Sequence, residues 1–411
     1  MSQINFDYDI AIVGGGIVGL TLAATLKNSH LKVALIEQST ESIAVSKGRA
    51  YAISLMSGKI FEQLGIWHEI LPQITQFSQI KISDADYSGI VELFPQDLGE
   101  KRTKFNFNQL GYAAEHQVLL TALKHSIQNA DNIFSLCPAE LIKADYQPDQ
   151  VQLLIKINNE EKLINTRLLV AADGGRSPIR EKAEIKTRGW RYWQDCVVAT
   201  IKIENSHNNI AYERFWYSGP MGVLPLVNNR CQVVWSAPHQ EAEKLKKLEE
   251  KEFLELLEYR TGGVLGKLEL MGDRYIFPVK LMQSDHYILH RLALIGDAAH
   301  CCHPVAGQGM NLGIRDAAAL GEILISAAEK KEDLGNIQVL KRYENWRKKE
   351  NLVILGFTDF LDRLFSNDWL LLVILRRWAL FILENIPFIK TYALQLMTGL
   401  KGRYPSLKTG L

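Results

Sequence analysis

Three glycines stand at the first, third and sixth places of Gly14-Gly15-Gly16-Ile17-Val18-Gly19, between an apolar run (residues 9–13) and a helical pattern (residues 17–26). In that setting Gly14 permits a tight turn, Gly16 lets backbone approach a pyrophosphate, and Gly19 lets the helix lie close on the strand. The helix start then aims unpaired N–H groups and the positive end of its dipole at the phosphates. Glu37 closes a second aliphatic run (residues 32–36), 18 residues past Gly19, where a carboxylate can accept hydrogen bonds from ribose hydroxyls. Glycine clusters also cap ordinary turns, and an acid at a strand end is often merely solvated. The strand–turn–helix context favours binding over both. It specifies a dinucleotide and leaves FAD and a nicotinamide equally open.

A longer constellation follows an aliphatic run at residues 291–295. Gly296-Asp297-Ala298-Ala299-His300 leads through Cys301-Cys302 into His303-Pro304-Val305-Ala306-Gly307-Gln308-Gly309-Met310-Asn311-Leu312-Gly313-Ile314-Arg315-Asp316. This stretch resembles, position for position, the His-Pro-x-Ala/Gly-Gly-Gln-Gly-x-Asn-x-Gly-x-x-Asp signature of the class A FAD-dependent aromatic monooxygenases. These are the para-hydroxybenzoate hydroxylase-like enzymes, and the likeness is greatest to their ubiquinone-biosynthesis hydroxylase branch. It extends to Arg49, to Leu64-Gly65-Ile66-Trp67, to Leu110-Gly111-Tyr112 with Glu115, and to residues 173–180 (DGGRSPIR). Gly219-Pro220 and Leu224-Pro225-Leu226 carry it into a second domain. The chain departs from the pattern at His116, where relatives usually have Asn, and at Cys301-Cys302.

The resemblance implies roles for residues. Asp297 would bind the ribityl hydroxyls of FAD, and Pro304, Gly307 and Gly309 would line the isoalloxazine. Gln308, Met310 and Asn311 belong to the same cofactor contact, Asn311 as a helix cap or as a flavin contact. Arg49 and Gln117 would hold the phosphates or the ribityl chain, and Asp173 the second fingerprint for FAD and NAD(P)H handling. A helix opening at residues 307–313 would set N–H donors beside an anionic reduced flavin. In the implied reaction NAD(P)H reduces FAD, and O2 is captured as a C4a-hydroperoxide that hydroxylates an electron-rich phenolic ring. The cofactor carries that chemistry, so no side chain is the oxidant, and the sequence names no substrate base. The implied substrate is a polyprenylated phenolic precursor of a ubiquinone- or plastoquinone-type quinone. Three alternatives stand beside it: a hydroxylase of a soluble aromatic compound, an isoprenoid-reducing flavoprotein of the same fold, and a non-catalytic flavin-binding scaffold.

The elements that must position these groups read as α/β. Runs at residues 9–13, 32–36, 167–172 and 291–295 suit one parallel sheet, whereas 197–203, 212–216 and 231–236 suit an antiparallel one. Residues 241–259 read as one charged helix stopped by Thr261-Gly262-Gly263, and the chain is helical from Leu320 onward. The expected architecture is a Rossmann-like FAD-binding domain in three pieces (1–75, 108–183 and 275–345). A mainly antiparallel substrate domain (76–107 and 184–274) is inserted into it, and a helical C-terminal region (346–411) completes it.

Composition sets limits on partners. With 47 Lys and Arg against 46 Asp and Glu, the chain lacks the basic excess of a nucleic-acid binder. Five cysteines show no paired zinc-like spacing, and His300 and His303 with Cys301-Cys302 between them match no closed zinc site, so no metal is expected. The short polar start predicts no secretory signal, and the expected location is cytoplasmic. The apolar runs 369–375 and 378–383 are split by Arg376-Arg377, short of the ~20 residues a spanning helix needs. Over residues 368–390, Trp369, Leu372, Val373, Trp378, Phe381 and Ile382 accompany Arg376, Arg377 and Lys390. That mixture suits a helix lying on the inner face of a membrane, a contact within a biosynthetic complex, or a helix packed on its own core.

Overall fold

In one sheet the strands Val33–Ile36, Tyr8–Val13, Glu160–Ala171 and Leu292–Leu294 run parallel in that spatial order. Their register levels Ile36 with Val13, Val13 with Ala171 and Ala171 with Leu294. Gly14, Glu37, Asp173 and Asp297 therefore all emerge at the same carboxyl rim, where open α/β sheets bind their ligands. The computed structural model describes residues 6–39, 48–85, 87 and 89–407; the first five residues of the polar start lie outside that set. Ile133–Leu136 extends the sheet on one side, and Ala139–Tyr146 and Val151–Ile157 form an antiparallel meander with Glu160–Ala171. The helices Ile17–Leu26 and Gln308–Glu329 pack against each other in the core that the sheet shares.

A second sheet has nine strands and is antiparallel except where Ile210–Phe215 pairs with Gln79–Asp84. Side-chain alternation divides its two faces. Val197, Ala199, Ile201, Val233 and Trp235 pack with Phe253 and Leu257 of a covering helix in a separate core. Cys196, Val198, Val234 and Ser236, one residue out of step, face the parallel-sheet domain. A small sheet of Ala50–Ser54, Gly111–Glu115 and Thr75–Phe77 lies beside them.

Three expectations need correction. The return to the dinucleotide-binding domain does not come at residue 275, because Tyr275–Ser284 still pairs with Thr187–Ile203 and even His300–Cys301 adds to the same sheet. A strand's own pattern does not say which sheet it joins. Residues 241–259 are not one helix: His239–Lys247 and Glu250–Thr261 are separated by extended Leu248 and Glu249. Arg274 takes the freed carbonyls, donating to Leu245 O at 2.9 Å and Leu248 O at 2.5 Å. Finally, the cations expected over residues 368–390 are largely internal. Arg376 is buried with Nε 2.8 Å from the buried Asp84 Oδ2, and Lys390 is buried with Nζ 3.0 Å from Glu384. Asp84 needs a counter-ion once desolvated, and Arg376 supplies it.

Candidate active site

At the dinucleotide loop the three glycines do different work. Gly14 has φ +111°, and a Cβ there would strike the Ala172 carbonyl. A Cβ on Gly19 would strike the Gly14 carbonyl, so Gly19 sets the helix-on-strand distance. Gly16, the N-cap of Ile17–Leu26, has none of the described residues within 4 Å of its Cβ position. Glu37 holds this turn: Oε2 accepts from Gly15 N at 2.5 Å and Oε1 from Ser39 N at 2.8 Å. A carboxylate has about four acceptor sites, so two remain for hydroxyl donors. Glu37, Gly14 and Asp173 border a cavity of about 780 Å³. Among the described residues Asp173 Oδ1 is buried there without a hydrogen-bond partner, and burial pushes this carboxyl up despite the Ser177 and Ile179 donors. An orphaned acceptor, an open glycine cradle and a pinned carboxylate are what a bound adenosine diphosphate end requires, and the residues fit FAD.

A second cavity, of about 540 Å³, opens between the two sheets. Gly16, Arg49, Asp297, Pro304, Gly307, Gly309 and Met310 line its floor and rim. Asp297 is exposed on the turn after Leu292–Leu294, and Arg49 stacks over the Phe277 ring at 4.3 Å. Beside Arg49, Tyr51 Oη lies 3.0 Å from His116 Nδ1; burial, then Arg49 and Lys124, bring the His116 ring down to about 4, which keeps it neutral.

The segment leading into Gln308–Glu329 carries two consecutive left-handed residues, Ala306 (φ 58°) and Gly307 (φ 60°). For alanine that conformation is uncommon and strained. It is held from both ends. His303, fully buried, accepts from Val305 N at Nδ1 (3.2 Å), which leaves Nε2 to donate toward Gln194 Oε1 (3.2 Å) and Asp362 Oδ1 (3.5 Å). Burial pushes the His303 ring down to about 3, so it is neutral. Asn311 accepts from Ser54 N and Ser57 Oγ and donates to Ala52 O and Gly307 O, each at 2.8 Å. Its hydrogen-bonding capacity is thereby filled. Asn311 staples the helix start, and a flavin hydrogen bond would have to displace one of these four.

Not every residue singled out in the sequence reaches a cavity. Gln308 is buried and donates to Ala306 O and Met397 O, both at 2.9 Å, tying the C-terminal helix Pro387–Met397 to the helix start. Gln117 is exposed, with its amide on Thr121 Oγ1 at 3.1 Å, away from the lining of either cavity. His300 lies 2.6 Å from Asp316 Oδ2, a fully buried pair. Asp316 also accepts from Arg347 Nε at 2.8 Å and from Gly296 N at 3.2 Å, so the last residue of the long motif holds the turn that presents Asp297.

One residue escaped the sequence reading. Glu213, on Ile210–Phe215, lines the cavity between the sheets from the nine-stranded side, with Oε2 3.5 Å from Ala306 N. Burial pushes its carboxyl up to about 7, with the Ala306 N–H opposing. The available signal was alternation: Ala211, Glu213 and Phe215 share one face, and the acid is its sole charge.

Over residues 7–351 the sequence matches the family described as FAD binding domain. An uncharacterized protein of Synechocystis sp. is 49% identical, covering 98% of this chain and 96% of that protein. A Rhodospirillum rubrum protein named ubiquinone hydroxylase UbiL is 34% identical, covering 93% of this chain and 87% of that protein. Among solved structures, p-nitrophenol 4-monooxygenase PnpA of Pseudomonas putida superposes with a TM-score of 0.81 at 17% identity, covering 97% of this chain and 100% of that one. That last likeness is one of fold.

Proposed function

This chain belongs to the FAD-dependent aromatic monooxygenases, and from that premise we propose that it hydroxylates the aromatic ring of a polyprenylated phenolic precursor in the biosynthesis of a ubiquinone- or plastoquinone-type quinone. FAD supplies the oxygen chemistry when bound, with NAD(P)H as electron donor and O2 as co-substrate. Glu37, Gly14 and Gly16 would hold its adenosine and pyrophosphate, and Arg49 and Asp297 its ribityl side. Pro304, Gly307, Gly309 and Met310 would face its ring, with the N-terminus of Gln308–Glu329 favouring negative charge there. Gln308 and Asn311 act in this scheme through the backbone they fix.

The observation that carries the proposal is an exposed apolar surface on the same C-terminal helices that reach the cavity. Met397 lines the cavity, and the other end of its helix exposes Phe388 at 79%. The preceding helix, Leu370–Asn385, follows Trp369 (73% exposed) and presents Leu371, Trp378 and Phe381. Isolated exposed apolar residues are ordinary; a contiguous helical face of them marks a contact surface. Such a face suits a protein peripheral on the cytoplasmic side of a membrane, drawing a prenylated ring from the bilayer. Among the described residues no helix is long and apolar enough to cross it. The name of the Rhodospirillum rubrum relative supports the quinone assignment.

The test is oxygen uptake by purified holoenzyme with a nicotinamide donor. A phenol carrying a polyprenyl tail should stimulate uptake, and the same phenol without the tail should not. Equal stimulation would return the reading to a hydroxylase of soluble aromatics.

A further inference from the structure

We propose that Glu213 is the base that takes the phenolic proton of the substrate. The inference rests on the phenolic reading above and adds the side chain it lacked. The phenol O–H bond breaks, its proton passes to a Glu213 carboxylate oxygen, and the electron pair stays on the phenolate oxygen. That charge enriches the ring positions ortho and para to it, where an electrophilic oxygen is received. After the ring has been oxygenated the carboxylic acid returns the proton, and the carboxylate is restored.

Placement supports this role. Glu213 lies on the nine-stranded sheet and lines the same cavity as Gly307 and Gly309. Oε2 faces Ala306 N, one residue before Gly307, and a Cβ on the cross-strand Gly222 would lie 3.6 Å from it. Among the described residues Oε1 has no hydrogen-bond partner, so a second acceptor remains for a substrate hydroxyl.

The other ionisable groups of the cavity are engaged or placed elsewhere. Asp297, the other lining carboxylate, stands on the ribityl side. Lys280 Nζ donates to Gly175 O at 2.7 Å, and Arg49 lies over Phe277. Tyr51 is paired with His116, and burial raises both the Cys301 and Cys302 thiols. On the strands flanking Glu213, Lys81 pairs with Glu92 and Asp84 with Arg376; Tyr212, beside Glu213 in the chain, borders the cavity while packing on the opposite core, and burial raises its hydroxyl. Burial therefore sets the basicity of Glu213, near the value suited to proton transfer at neutral pH.

The experiment uses oxidised holoenzyme, without nicotinamide, and a 4-nitrophenol bearing a prenyl group beside its hydroxyl. Its phenolate band reports ionisation in the cavity. In the wild type the phenolate band should rise in two coupled steps, because the bound phenol and Glu213 share one proton between them; in Glu213→Gln it should rise in a single step, with FAD content unchanged. In turnover, kcat/KM at pH 7 should fall at least about 100-fold and lose its acidic limb, and Glu213→Asp should regain the limb. Identical probe titrations in wild type and Glu213→Gln, or an acidic limb that survives in Glu213→Gln, would overturn the role of Glu213 alone. A wild-type holoenzyme that does not bind the probe would overturn the phenolic reading, and this proposal with it.

Discussion

His300 Nε2 lies 2.6 Å from Asp316 Oδ2, and neither side chain reaches solvent. Burial acts to raise the Asp316 carboxyl, but His300, Arg347 and their hydrogen bonds outweigh it and hold the group well below the usual aspartate range. Asp316→Ala should leave His300 buried without its partner and Arg347 with Glu350 as its remaining carboxylate, costing roughly 3–5 kcal/mol in chemical denaturation and releasing the turn that bears Asp297. The sign with pH follows from the depressed value. The contribution is complete above the ordinary aspartate value and is lost as pH falls toward the depressed one. The stability gap between wild type and variant should therefore narrow only in strong acid.

Gly309 is free to carry a side chain as far as the fold is concerned. The one atom near its Cβ position is Cys302 Sγ, at 3.8 Å, an ordinary contact. Gly309→Val should leave the apoprotein within about 1 kcal/mol of wild type, since valine is no worse than glycine in a helix. Its methyls enter the space assigned to the flavin ring, so FAD should bind at least about tenfold more weakly, about 1.4 kcal/mol. Equal FAD affinity, measured by fluorescence on titrating apoprotein, would move the ring away from this helix.

Glu37→Ala removes an acceptor from both Gly15 N and any ribose hydroxyl. FAD affinity should drop by about 1–3 kcal/mol. Glu37→Gln, which keeps one acceptor oxygen, should lose less. The comparison of the two by calorimetry separates a ribose ligand from a residue that only braces the loop, for which both losses would appear in apoprotein stability.

How much of this could be read in advance follows from the range of each interaction. The glycine turn and the place of Glu37 were legible because Gly14, Gly16, Gly19 and Glu37 fold within one strand–helix–strand unit, and the register of parallel strands then gathers Asp173 and Asp297 at the same rim. The fold class followed from the same runs. The cavity wall was not legible: period-two alternation groups Ala211, Glu213 and Phe215 but does not say which core each face meets. Partners distant in sequence were equally hidden, such as Met397 O for Gln308, at 2.9 Å. Arg376 reads as a surface cation until Asp84, 292 residues away, is found beside it.

That pairing alters the expected membrane contact. With Arg376 and Lys390 turned inward, attraction to lipid should rest on Trp369, Trp378 and Phe388 more than on charge. Sedimentation with anionic liposomes should persist when ionic strength is raised from about 0.1 to 0.5 M. It should be lost in Trp369→Ser/Trp378→Ser with FAD content and melting temperature preserved. Unchanged sedimentation of that variant would discard the lipid face.

The most direct test is the origin of the new oxygen. Purified holoenzyme, a nicotinamide donor and a polyprenylated phenol are incubated under oxygen-18 gas, and the lipid product is weighed by mass spectrometry. A product with one oxygen-18 atom on its ring, formed only with donor and enzyme together, is the predicted result. A product labelled from water instead, or donor oxidation that leaves the phenol unchanged while its isoprenoid double bonds are reduced, would contradict it.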